Sequence, residues 1–125
     1  MKNQKFSALQ RLKSFTYAFN GLKILLREEH NARIHFVIAV SVTIAGFALK
    51  ISALEWIAIV IAIGFVITTE IINSAIENIA DFISPEKHEM IKKIKDLAAA
   101  GVLVSALTAL TTGLIIFLPK LEKLL

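Results

Sequence analysis

Cysteine is absent from the sequence. That excludes a disulfide framework and any thiolate metal site, and it leaves no redox signature of a compartment. Proline occurs only at Pro85 and Pro119, and glycine only at Gly21, Gly46, Gly64, Gly101 and Gly113. Glycines so scattered form neither a GxxxxGK[ST] phosphate loop nor a kinase glycine-rich loop, so any nucleotide must be held by other means. The histidines, His30, His35 and His88, make no HExxH pair. His35 reads as a residue near an interface, and the other two as solvated. Repeats, low-complexity tracts and strand-like alternation are missing. So is a compact apolar stretch followed by a small-residue cleavage site, and the N-terminus is expected to stay on the mature protein.

What remains is apolar. Of 125 residues, 56% are hydrophobic, and the mean hydropathy is +0.70. That is room for a single domain, and one greasier than a soluble domain of this size. The net charge of +4 does not indicate a nucleic-acid partner, because acids and bases fall between the apolar runs. Three such runs are present. Ile34–Leu49, about 24 Å as a helix, is slightly short for a hydrocarbon core of roughly 30 Å. The second starts near Ala53 and is uncharged from Trp56 to Thr69, and Leu97–Leu118 has no charge at all. Pro119 is expected to end the third. A soluble bundle fits poorly, since that run has no polar face.

Seven Lys and Arg precede Ile34, Lys50 alone separates the first two runs, four lie between Asp81 and Asp96, and two follow Pro119. Basic residues favour the cytoplasmic side. The N-terminus and the Phe82–Asp96 loop are therefore expected inside, with the Lys50 turn and the C-terminus outside. Before the first span, Leu12, Phe15, Phe19, Leu22 and Leu26 recur at helical steps opposite Arg11, Lys13, Asn20, Lys23 and Arg27. This predicts an amphipathic helix on the anionic leaflet. The expected architecture is an all-α integral membrane protein. It has a surface helix over residues 7–29 and transmembrane helices over 33–50, 53–72 and 97–118. Pro85 is expected to open a turn, with Glu86, Lys87, His88 and Glu89 beginning the helix into the third span.

The second helix carries the chemistry. Glu70, Asn73, Glu77 and Asp81 stand at i, i+3, i+7 and i+11, a stripe about 80° wide. If Trp56 marks the outer interface, Glu70 lies about 21 Å further in and Glu77 about 31 Å. A carboxylate at the depth of Glu70 is rare in a span and marks function. Asp81 alone would be a solvated helix end, and Asn73 alone interhelical glue. Glu28-Glu29 and Lys95-Asp96 flank the other spans at similar depth. Converging carboxylates suit a hard cation such as magnesium, commonly held together with substrate phosphates, and a lysine suits phosphate. Ala98, Gly101 and Ser105 line one side of the third span and permit close helix approach. A neighbouring copy is the expected shield for the acidic stripe.

"EIINSAIENIADFISPEKHEMIKKIKDLAAAGVLVSA" resembles the signature region of the small bacterial diacylglycerol kinase family, which includes the undecaprenol kinases. "YAFNGLK" and "EEHNARIH" resemble its surface helix and first-span entry, so the likeness covers nearly the whole chain. It implies a homotrimer in the bacterial cytoplasmic membrane that transfers the γ-phosphate of ATP to a lipid hydroxyl with magnesium. Residue by residue, the resemblance makes Glu70 the catalytic base and Glu29 and Glu77 the metal-binding carboxylates. It makes Tyr17, Glu29, Glu77, Glu86, Lys87, His88, Lys95 and Asp96 nucleotide contacts. Asn73 and Ala99 would lie close to the reacting groups. Gln10 stands where some members have an arginine, with Arg11 beside it. Diacylglycerol is the acceptor expected first and undecaprenol the alternative, both offering a primary hydroxyl. A cation channel or transporter subunit is the competing class, with ion flux in the absence of ATP as its signature. A non-catalytic membrane scaffold is a third reading.

Overall fold

A computed structural model describes residues 7–125, so Lys2 and Lys5, counted above among the N-terminal bases, lie outside the described residues. The described residues fold as four helices: α1 (Ala8–Glu28), α2 (His30–Ala48), α3 (Ala53–Ile83) and α4 (Glu89–Leu124). α2, α3 and α4 are each long and apolar enough to cross a membrane. α3 packs mainly along α4, while α2 touches α3 more lightly and α1 lies against the start of α2 and the part of α3 around Ile67 and Glu70.

Most of the large apolar side chains point outward; Val60, Ile61, Leu107 and Ile115 are all more than half exposed. In water such a surface would drive aggregation, whereas in hydrocarbon it costs nothing. The small core, Ile51, Ile59 and Ile116 with Trp56 and Phe117 against them, sits at the Lys50 end. Further along, Thr69 and Ser105 share a hydroxyl hydrogen bond of 2.7 Å between α3 and α4, and Ser105 is fully buried. Ser105 alone of the Ala98–Gly101–Ser105 series is enclosed by the chain; a Cβ on Gly101 would meet nothing.

The α2–α3 turn is fixed locally. Lys50 takes the left-handed conformation (φ 52°), Ile51 N–H donates to the Gly46 carbonyl and Lys50 N–H to that of Phe47. This is a Schellman closure with lysine where glycine is usual. Ser52 then caps α3, its side chain accepting from Glu55 N–H while the Glu55 carboxylate accepts from Ser52 N–H. At the other end α1 and α2 are divided by one extended residue, Glu29 (φ −108°, ψ 110°). Arg33 secures that bend by donating from Nε to the Leu26 carbonyl at 2.6 Å and from Nη2 to that of Arg27.

Three expectations are corrected. Pro119 does not end the third span: it lies inside α4, which runs to Leu124. The missing N–H falls near the helix end, beside the Phe117 packing, and Lys120 Nζ ties the last turns to Glu55 of α3 at 3.1 Å. Glu86, Lys87 and His88 do not start a helix. Ser84 caps α3 because the following Pro85 disfavours helical backbone there, Ser84 Oγ donates to the Glu86 carbonyl, and His88 Nδ1 accepts from Met90 N–H as the N-cap of α4. And the second copy expected to shield the acidic stripe is not needed at Glu70, although Glu77 stays half-buried and Asp81 exposed. Glu70 is 2% exposed within the single chain, closed off by Leu22, Leu25, Ala32, Phe36 and Ile67.

Candidate active site

α3 runs well past the length needed to cross a membrane, and this carries its acidic stripe from an apolar interior to an open end. Glu70 and Asn73 are buried, Glu77 is half-buried and Asp81 is exposed. Glu29 is brought to the stripe by the α1–α2 bend, where its Oε1 accepts a hydrogen bond from Ser74 Oγ at 3.2 Å. Glu77 Oε1 accepts from Asn73 Nδ2 at 3.4 Å. Adjacent residues of α3 therefore hold the two flanking carboxylates, and both act on Glu70 through space.

Among the described residues, two buried side-chain acceptors remain without a hydrogen-bond donor, Glu70 Oε1 and Asn73 Oδ1. His35 Nε2 stands 3.2 Å from Glu70 Oε1, near enough for an ion pair but not aligned for a hydrogen bond. His35 is thus turned into the site. The sequence signal lay in α2: Ala32, His35, Ala39, Val42 and Gly46 recur at three- and four-residue steps, and this face meets α3. Buried acceptors left open are uncommon in native proteins and suit a site that awaits an external donor.

Beyond the stripe, the turn between α3 and α4 borders an open cavity of about 530 Å3 lined mostly by polar and charged residues. Glu86, Lys87, His88, Lys95 and Asp96 all line it, so five of the eight residues that the resemblance makes nucleotide contacts converge. Lys95 Nζ donates to Asp81 Oδ1, linking this cavity to the open end of the stripe, and Lys92 pairs with Asp96 one turn along. Tyr17 on α1 and Ala99 on α4 are exposed, and neither lines the cavity.

The donor set suits a magnesium ion in chemistry and in number. Among the described residues no group of three or more acidic or histidine side chains converges to cage an ion. What flanks Glu70 is two carboxylates, Glu77 from the stripe and Glu29 from the α1–α2 bend. Magnesium is held by one or two carboxylates when substrate phosphates complete its shell.

A multi-pass helical membrane protein with a buried carboxylate, two flanking carboxylates and a lysine-lined polar cavity has the parts of a membrane-embedded phosphotransferase. Comparison with known proteins agrees. Residues 16–117 match the family described as prokaryotic diacylglycerol kinase. An undecaprenol kinase of Bacillus subtilis is 40% identical over 109 residues, covering 87% of this chain and 89% of that protein. A diacylglycerol kinase of Synechocystis is 32% identical over 115 residues, covering 91% of this chain and 66% of that protein. A diacylglycerol kinase of Escherichia coli K12 is 28% identical over 116 residues, covering 93% and 95%. The chain belongs to the prokaryotic diacylglycerol kinase family. It is an enzyme of the lipid-kinase class, a bacterial multi-pass membrane protein, and nothing favours the channel reading.

Proposed function

We propose that this protein transfers the γ-phosphate of ATP to the primary hydroxyl of a membrane lipid, with undecaprenol as the acceptor. The observation that carries the reading is Glu70, a buried carboxylate with an oxygen left open, on the same helix face as Glu77 and Asp81. A lipid alcohol reaches that depth without leaving the membrane, while a nucleotide approaches the polar cavity from water.

In the proposed reaction Glu70 accepts the proton of the lipid hydroxyl as its oxygen bonds to the γ-phosphorus. The bond from that phosphorus to the β–γ bridging oxygen breaks, and ADP leaves. Catalysis of this kind rests mainly on positioning and on neutralising phosphate charge. Magnesium, held by Glu29 and Glu77, would neutralise phosphate oxygens. Lys95 adds a fixed positive charge. Glu86, Lys87, His88 and Asp96 shape the nucleotide cavity, and Asn73 steadies Glu77 beside the reacting groups. Tyr17 and Ala99 are assigned to the nucleotide and to the reacting groups through a neighbouring copy, in a homotrimer that also covers the remaining apolar surface. The N-terminus and the Pro85 turn face the cytoplasm, α1 lies on the inner leaflet, and the C-terminus is outside the cytoplasmic membrane.

Undecaprenol is chosen over the diacylglycerol first expected because the likeness to the undecaprenol kinase is higher, at 40% against 32% and 28% for the two diacylglycerol kinases. Diacylglycerol is the second reading, supported by the names of those two relatives. Purified protein given magnesium-ATP and each lipid in mixed micelles decides between them. Higher kcat/KM for undecaprenol is the expected result. Faster use of diacylglycerol selects the second reading, and turnover of neither removes both.

A further inference from the structure

Glu70 is held by one basic side chain. Among the described ion pairs, only His35 reaches it; the other groups facing it, Glu29 and Glu77, are acids that repel its charge. Taking a carboxylate out of water costs several kcal/mol unless a partner compensates, and the Glu70 side chain is only 3% exposed against 22% for His35. We propose that His35 is a positioning residue for Glu70, its Nε2 fixing the carboxylate in the orientation from which it takes the alcohol proton. The proposal rests on the role given to Glu70 above.

Two features set this pair apart from a stabilising ion pair. The first is its geometry: Nε2 approaches Oε1 closely but leaves it without an aligned hydrogen bond, so the oxygen is steadied yet still open to an incoming hydroxyl. The second is location. His35 closes the tight space around Glu70 and is also the one ionisable residue lining a groove of about 450 Å3 between α2, α3 and α4. It therefore stands where the apolar interior meets the carboxylate. With an apolar side chain at this position, the packing around Glu70 would remain but no polar partner would hold its carboxylate against its acidic neighbours. Misplacing a reacting group by an ångström costs about 100-fold in rate.

The test uses the full chain in micelles with saturating lipid alcohol, comparing His35→Leu, His35→Gln and Glu70→Gln with the wild type. Thermal unfolding establishes that each variant is folded. His35→Leu is expected to lower kcat about 100-fold while KM for magnesium-ATP stays within about twofold. His35→Gln, which places a polar amide nitrogen at a similar reach from the carboxylate, is expected to recover about tenfold of that loss. A merely structural role would not produce recovery confined to kcat. Wild-type kcat in folded His35→Leu, or a kcat loss that His35→Gln fails to recover, overturns the positioning role. Should leucine prevent folding, His35→Asn, with an amide too short to reach Oε1, takes its place under the same criteria. An active Glu70→Gln removes the base itself, and with it the parent reading; an inactive one leaves the His35 variants to decide.

Discussion

Gly46→Ala tests how α2 is seated on α3. A Cβ at Gly46 would stand 2.7 Å from Trp56 Cη2, 3.0 Å from Cζ2 and 3.1 Å from Ile51 Cδ1. Carbon atoms do not pack so closely, and the indole has little freedom to retreat. Its ring already lies 4.7 Å from that of Phe47, and it packs on the Ile51–Ile59–Ile116 core. Overpacking of this kind costs about 1–3 kcal/mol. Alanine recovers roughly 0.8–1 kcal/mol through its better helix propensity, so the net loss should be about 1 kcal/mol. Gly64→Ala is the control: it sits on α3 where a Cβ meets nothing within 4 Å, so it gains the propensity without the clash. The two variants should differ by about 1–3 kcal/mol in denaturant titration of the micellar protein. Trp56 is the sole tryptophan, and its emission should shift in the Gly46 variant alone. Equal midpoints with unchanged emission would refute the packing of α2 against Trp56.

Other outcomes follow from single contacts. Lys50→Gly should stabilise the protein by up to about 1 kcal/mol, because glycine adopts the left-handed conformation at less steric cost; a lower unfolding midpoint would contradict it. In a double-mutant cycle, Thr69→Val and Ser105→Ala should couple by about 0.6 kcal/mol, the usual worth of a hydroxyl bridge between membrane helices. Additive effects would mean that the bridge contributes nothing. Arg33→Ala frees the carbonyls that close α1 and loosens the bend holding Glu29. It should raise the magnesium concentration for half-maximal turnover several-fold, with the lipid KM little changed; an unaltered magnesium curve counts against the bend as a positioning device. Lys95→Met should raise KM for ATP about tenfold or more, as expected when a charged contact worth about 1.5–3 kcal/mol is lost, and an unchanged KM would take Lys95 out of the nucleotide site.

The helices were legible because a membrane leaves few alternatives: three apolar runs of spanning length must be helical to satisfy their own backbones. The stripe was legible for a related reason. Acids at i, i+7 and i+11 with an asparagine at i+3 share one face, and a carboxylate as deep as Glu70 has no bland account inside an apolar helix. Residues whose role is created by a neighbour were harder to see. His35 looked like any interfacial histidine until α2 was laid against α3, where its face meets Glu70. Arg33 looked like one more topological base, yet its guanidinium spans the α1–α2 break. Pro119 has a strong local preference to end a helix, overridden here by packing at Phe117 and the Lys120–Glu55 pair. The Pro85 turn went the other way: a side-chain cap from His88, invisible in propensity, places the start of α4 at Glu89, the last of the four residues expected to open it.

The most direct measurement is lipid phosphorylation by Glu70→Gln, read beside ATP binding by the same protein. With the proton acceptor gone and its volume kept, turnover should fall by about 100-fold or more while nucleotide affinity stays near that of the wild type. A folded Glu70→Gln that phosphorylates its lipid at an undiminished rate would show that the buried carboxylate is not the base.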